Sequence, residues 1–145
     1  MADEQPTRQY DYSLFGDEHT RRYEETDGEV GYLWNGAPCL ILHTTGRKSG
    51  ALHKFPLIFG EHGDEFVLVA SKGGAPDDPG WYRNLVAHPD AVVQVKGDVI
   101  PVRARTAEGG EREELWALMV PIWPPYADYA ERTERQIPVV VLERR

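Results

Sequence analysis

The sequence predicts a mainly β, α+β fold: an antiparallel sheet curled into a barrel, with helices packed outside. Three observations point there. Short β-rich runs are joined by turns too tight for a crossover helix. Helical periodicity falls between groups of strands, in the order βββ-α-ββ-αα-β, and not in βαβ alternation. The length of 145 residues, with 41% hydrophobic and 10% aromatic content, suits one core and argues against a two-domain enzyme.

The elements follow in chain order. Residues 1–16 are polar and aperiodic, and the acidic stretch Asp17–Asp27 predicts a helix closed by Gly28, so residues 1–29 read as an acidic arm, partly helical or mobile. The barrel domain is expected over 30–145. Cys39–Thr45 (CLILHTT) passes through the turn Gly46–Gly50 into Ala51–Phe59, a hairpin in which Pro56 marks an edge or a bulge. A turn over Gly60–Glu65 leads into the strand Phe66–Ser71. The loop KGGAPDDP then precedes a helix over Gly80–His88, with Asp78 at its N-cap and Pro79 at its first position. Ala91–Val95 and Val99–Thr106 form a second hairpin; Ile100, Val102 and Ala104 share one face, with Arg103 and Arg105 on the other. Glu111–Ile122 carries Leu115, Leu118, Met119 and Ile122 on one helical stripe, and Pro124 and Pro125 start a second short helix. The apolar run Ile137–Glu143 predicts a central strand.

Charge bounds the partners. A formal net charge of -8 argues against nucleic acid and anionic membranes. The charge is uneven, however: residues 1–29 hold nine acids and three bases, whereas Val30–Gly60 has no Asp or Glu but keeps Arg47, Lys48 and Lys54. The N-terminus has neither a cationic n-region nor an apolar h-region, and no apolar run reaches the roughly 18 residues of a span, so a soluble cytoplasmic chain is expected. A single cysteine, Cys39, excludes an internal disulfide and sits in an apolar strand as a structural thiol. The five histidines lack metal-ligand spacing, so no metal site is expected.

Self-contained catalytic motifs are missing: there is no G-x-S-x-G, H-E-x-x-H, Walker loop or G-x-G-x-x-G. Thr44–Gly50 instead gathers hydroxyls, two glycines, Arg47 and Lys48 on one hairpin turn, where backbone N–H groups and side chains can converge on a phosphate. Alone, the turn serves equally as a solvated basic loop. A second glycine-bearing cationic strand exit, Ser71-Lys72-Gly73-Gly74, favours the anion reading, because adjacent glycines let a ligand approach the backbone. Trp81, Asn84 and Leu85 share a helix face suited to the core, with Asn84 its odd polar member. Trp123, Tyr126 and Tyr129 recur every three residues and suit core packing or an aromatic lid over a flat ligand equally.

The strings LHTTGRKSG, Pro56-Leu57, VASKGG, PGWYRNL over 79–85 and PPYADYAERTER followed by IPVVVLE resemble the deazaflavin-dependent nitroreductase family across residues 30–145. These are actinobacterial oxidoreductases with a split β-barrel, flavin-reductase-like fold that use coenzyme F-420, an 8-hydroxy-5-deazaflavin. The resemblance implies that Arg47, Lys48 and Ser49, with His53, hold the phosphate and polyglutamate tail. Pro56 and Leu57 would line its path, and Ala70, Lys72, Gly73, Gly74, Pro79, Trp81, Asn84 and Leu85 would shape the rest of the cofactor site. Ser71, Tyr126 and Tyr129 would be the catalytic-side residues, facing a quinone or nitroaromatic acceptor. Two departures stand out: His53 replaces a frequent arginine, and Trp123 replaces a third expected tyrosine. The arm is also less apolar than a membrane-docking arm, which leaves room for only weak peripheral contact. An FMN-dependent split-barrel enzyme and a non-catalytic deazaflavin or lipid-like carrier are the competing readings, and monomer and homodimer both remain open.

Overall fold

The apolar runs at 39–42, 66–69 and 139–142 are buried at every position, so the sheet they form is covered on both faces there. The computed structural model describes residues 10–145; residues 1–9 of the arm lie outside them. Helix α1 (Gly16–Thr26) leads to β1 (Leu33–Trp34), β2 (Ala37–Thr45), β3 (Leu52–Ile58), β4 (Gly60–His62) and β5 (Glu65–Val69). A 3₁₀ turn at Lys72–Gly74 and helix α2 (Gly80–Ala87) precede β6 (Asp90–Val95) and β7 (Asp98–Thr106). Helices α3 (Gly109–Ile122) and α4 (Pro125–Arg132) then run into β8 (Val139–Arg144).

All strand pairs are antiparallel. The ladder runs β2-β6-β7-β8-β5-β4, and β3 pairs with the other edge of β2. β3 and β4 thus stand at opposite ends of the ladder, yet Phe59 alone separates them in sequence. A one-residue link between the two ends forces the sheet to curl back on itself, which makes the barrel. Pro56, paired with Ile41, lies on β3, which has β2 as its only strand partner among the described residues, so its missing N–H costs no ladder bond.

Period-two alternation sorts side chains to the two faces. Leu40, Leu42, Phe66, Leu68, Val93, Val102, Val140 and Leu142 fill the barrel, with Phe59. Val67, Val69, Val139 and Val141 face outward beneath Leu115 and Met119 of α3 and Tyr126 of α4. The unbroken run Val139–Leu142 is explained by this double burial, and β8 is central, between β7 and β5.

Four local expectations change. α1 ends at Thr26, with Asp27 as its left-handed cap (φ 51°), one residue before Gly28. Gly60–His62 pairs with β5 inside the span read as a turn. Leu33–Trp34 adds a two-residue strand that was too short to show a period. Asp78 does not cap α2: its carboxylate binds Arg135 at 2.9 Å, and Pro79 becomes the N-cap (ψ 153°).

The described part of the arm is docked. Tyr23 is fully buried, and its hydroxyl donates to the Cys39 carbonyl (3.0 Å) and accepts from the Lys96 N–H (2.7 Å). His19 is buried with Nε2 at 2.8 Å from the Gly31 carbonyl, and burial holds its pKa below the ordinary 6.5. Burial also lowers His43, aided by Lys54 and opposed by Glu24. The unfolded chain therefore takes up these protons first as pH falls. The stability from their neutral forms is complete above the ordinary value and is lost as pH drops through the folded ones. Thermal melts are expected to show a falling Tm between about pH 7 and about pH 5, with a shallower slope in His19→Gln. A Tm that rises on acidification across that window contradicts this account.

Candidate functional site

The hairpin turn between β2 and β3 is closed by its own backbone: Gly46 N–H donates to the Ala51 carbonyl (2.7 Å) and Gly50 N–H to the Gly46 carbonyl (2.9 Å). Ser49 Oγ accepts from the Ala51 N–H at 3.1 Å. Helix α2 then fixes the turn through one buried side chain. Asn84 Oδ1 accepts from the Arg47 N–H (3.2 Å) and from Arg47 Nη1 (2.9 Å), while Asn84 Nδ2 donates to Thr44 Oγ1 (3.1 Å). The odd polar residue on the α2 face is thereby accounted for. Trp81 and Leu85, on the same face, enter the barrel core and anchor the helix.

A cavity of about 220 Å³ opens here, bordered by Gly46–Ser49, His53, Phe55, Gly80 and Asn84. Among the described residues neither Arg47 nor Lys48 meets a carboxylate. A larger cleft of about 470 Å³ between α1 and β3 is chemically different. Asp17, Glu24 and Glu25 line it, and its cations are engaged: Lys54 by Glu24 at 2.8 Å, and Arg21 by Glu25 at 3.0 Å and by Glu18. Of the two, the smaller cavity is the one that suits an anion, since its cations meet no carboxylate among the described residues.

Lys72 departs from the expectation of a third free cation. Its Nζ binds Asp77 at 3.1 Å, and this contact holds the Asp77 carboxyl below the usual carboxylate range. The backbone around it offers hydrogen-bond donors instead. Ser71 is right-handed (φ -80°, ψ -38°), and Lys72 and Gly73 follow with φ 47° and 64°. Successive right- and left-handed residues form a concave nest of N–H groups. Among the described residues no acceptor meets the N–H of Ser71, Lys72 or Gly73. The two glycines divide their roles. A Cβ on Gly73 would have open space, whereas one on Gly74 (φ 83°) would lie 2.8 Å from the Tyr129 carbonyl oxygen. Gly74 is thus required by close packing with α4, and Gly73 leaves room for a ligand.

Sequence reasoning missed Arg135. Its guanidinium, 15% exposed, donates from Nε to the Ala75 carbonyl (2.8 Å) and from Nη2 to the Ser71 carbonyl (2.7 Å). Nη1 donates to the Ala70 carbonyl (3.3 Å) and the Asp78 carboxylate (2.9 Å). Arg135 lies within the string PPYADYAERTER, where it carried no charge pattern to mark it out.

The remaining candidates divide between core and rim. Pro56 and Leu57 lie half-buried on β3, opposite Ile41 and Leu40. Trp123 is buried between Tyr10 (ring centroids 4.6 Å) and Trp34 (5.3 Å), so the described end of the arm covers it. Tyr126 is buried, and desolvation drives its phenol far above the ordinary value, which leaves it a neutral hydrogen-bonding group with no acid–base role near neutrality. Tyr129 is half-buried, edge-on to Tyr126 at 6.2 Å. Cys39 is buried, and desolvation pushes its thiol up to about 12, which rules out a nucleophile. No described helix is long and apolar enough to cross a membrane.

Comparison with known proteins bears on this geometry. Residues 16–144 match the family model described as F420H(2)-dependent quinone reductase. A curated F420H(2)-dependent quinone reductase of Mycobacterium tuberculosis (strain ATCC 25618 / H37Rv) is 40% identical over 131 residues, 88% of each chain. A solved F420-H2 dependent reductase (FDR-A) is 45% identical with a TM-score of 0.69, covering 73% of this chain and 94% of its own. A second solved structure, a domain-swapped dimer, is 42% identical with a TM-score of 0.72, covering 87% and 95%.

Proposed function

Since the chain belongs to the F420H(2)-dependent quinone reductase family, we propose that it oxidises reduced coenzyme F-420 at the expense of a quinone, and that the same site admits nitroaromatic acceptors. The observation that carries this reading is the cavity at the β2–β3 turn, where Arg47 and Lys48 meet no carboxylate among the described residues and Asn84 orients Arg47 in advance. A phosphate-bearing coenzyme fits that donor set: Arg47 offers a planar fork, Lys48 a point charge, and Ser49 a hydroxyl.

The bound coenzyme supplies the hydride. The chain's residues bind, orient and dry the site. Arg47, Lys48 and Ser49 take the phosphate end. The N–H groups of Ser71, Lys72 and Gly73, which meet no acceptor among the described residues, and the Ser71 hydroxyl would donate hydrogen bonds where negative charge develops during transfer. Tyr129 offers an aromatic edge for a flat acceptor, and buried Trp123 and Tyr126 behind it keep water away. No side chain has to serve as nucleophile, consistent with the missing catalytic motifs. A dimer is the assembly we favour, on the precedent of the domain-swapped relative.

The test is oxidation of reduced coenzyme F-420 with a panel of quinones and nitroaromatics, followed by return of the oxidised coenzyme's visible absorbance. Acceptor-dependent rates well above the enzyme-free rate are expected, for quinones first. Enzyme-free rates across the whole panel would overturn the reading.

A further inference from the structure

Three carbonyls and one carboxylate converge on a single part-buried guanidinium, its side chain 15% exposed, beside the proposed coenzyme loop. Burying that charge costs several kcal/mol, and well-packed apolar residues commonly stabilise a fold as effectively as a buried ion pair. Stability alone is therefore a weak reason for an arginine here. Its geometry supplies a better one. The Ala70, Ser71 and Ala75 carbonyls are all drawn onto Arg135, and Ser71 additionally accepts the Gly74 N–H at 3.0 Å. With the carbonyls so engaged, the N–H groups of Ser71, Lys72 and Gly73 are left without acceptors among the described residues. Arg135 lies three residues beyond the end of α4, and its own N–H donates to Oγ1 of Thr133, the residue that caps the helix, at 3.3 Å. It thus fastens the loop of residues 70–78 to the helix carrying Tyr129.

We propose that Arg135 is the positioning residue of the coenzyme loop: its fork holds the Ser71–Gly74 turn in the one conformation that presents three unpaired backbone N–H groups to the bound coenzyme. This rests on the functional reading above. Lysine keeps the charge but cannot reach four separate acceptors with one planar group, so Arg135→Lys is a partial replacement and Arg135→Gln a poorer one.

The experiment has two readouts in the same proteins. Backbone amide exchange at Gly74 and Ala75, whose N–H groups donate to the Ser71 (3.0 Å) and Lys72 (3.2 Å) carbonyls, is expected to accelerate about tenfold or more in coenzyme-free Arg135→Lys, while the β5–β8 pairing keeps its protection. At saturating coenzyme, kcat is expected to fall about tenfold in Arg135→Lys and about a hundredfold in Arg135→Gln, with the acceptor KM within about twofold of wild type. Asp78→Asn keeps the three carbonyl bonds and is expected to stay within about threefold of wild type in kcat. If Arg135→Gln does not fold, the lysine and Asp78→Asn variants still decide the matter. A folded Arg135→Lys with wild-type exchange and wild-type kcat overturns the proposal, as does an Asp78→Asn loss as large as that of Arg135→Lys. Wild-type protein inert with reduced coenzyme F-420 overturns the functional reading and this inference with it, whereas a competent wild type beside an unaffected variant overturns only the role of Arg135.

Discussion

Replacing Arg47 and Lys48 together by alanine is expected to weaken coenzyme F-420 binding by about a hundredfold or more. Each charge-assisted hydrogen bond to a phosphate contributes roughly 1.5–3 kcal/mol, and every 1.4 kcal/mol is about a factor of ten, so losing two corresponds to roughly 10²–10⁴ in Kd. Folding should be nearly untouched. Neither side chain meets a carboxylate among the described residues, and the residue 47 N–H still satisfies Asn84 Oδ1, so the stability change should stay within about 1 kcal/mol. Titration of protein with coenzyme and a thermal melt separate the two effects. Because the wild-type contact is ionic, its affinity should fall with added salt more steeply than that of the double variant. Wild-type affinity in the double variant would remove the turn from the coenzyme site.

Gly74→Ala is expected to be the most damaging single small substitution near the site, through the fold and not through charge. A Cβ there would lie 2.8 Å from the Tyr129 carbonyl oxygen and 3.1 Å from both Tyr129 Cα and Arg132 Cβ, and the backbone sits at φ 83°. The strained φ costs about 1–2 kcal/mol, and the clash falls mainly on helix backbone that can relieve it only by moving α4 away. A total of about 3 kcal/mol lowers Tm by roughly 6–12 °C in a domain of this size. Gly73→Ala is the control. Its φ is 64° and its Cβ would meet nothing within 4 Å, so about 1–2 kcal/mol of backbone strain is all it should cost. Equal Tm losses in the two variants would contradict the packing of α4 on this turn.

The two glycines show what a sequence can and cannot disclose. Adjacent glycines after a buried strand announce that the backbone needs freedom, but not that one has open space beside it and its neighbour packs against a helix. That division depends on where α4 lands, which is set by residues more than fifty positions downstream. The strands of the barrel were legible because period-two alternation and turn residues are local. β1 and β4, of two and three residues, are too short to carry a period, and the closure of the sheet follows from pairing partners that no window along the chain contains. Lys48 and Arg47 stood out because an acidic chain left them in an acid-free stretch. Lys72 stood out on other grounds, as the cation of a glycine-bearing strand exit, but Asp77, five residues on, neutralises it. Charge counting cannot distinguish a cation that is free from one that is paired. Arg135 was invisible for the converse reason: three of its four partners are main-chain carbonyls, which have no sequence signature, and the fourth, Asp78, lies 57 residues away in the chain.

The acid-free stretch also corrects a first impression made by the net charge of -8, which argues against anionic ligands as a class. It holds for extended polyanions, which meet the whole surface, but not for a small one that meets only the cavity at Arg47 and Lys48, as we propose for the coenzyme.

One measurement tests that assignment most directly: the affinity of the wild-type protein for coenzyme F-420 beside that for the same deazaflavin lacking its phosphate and polyglutamate tail. If the β2–β3 turn holds the phosphate, the intact coenzyme should bind about a hundredfold more tightly or better, and the Arg47→Ala/Lys48→Ala variant should bind the two almost alike. Equal affinity of the wild type for both compounds would contradict the account.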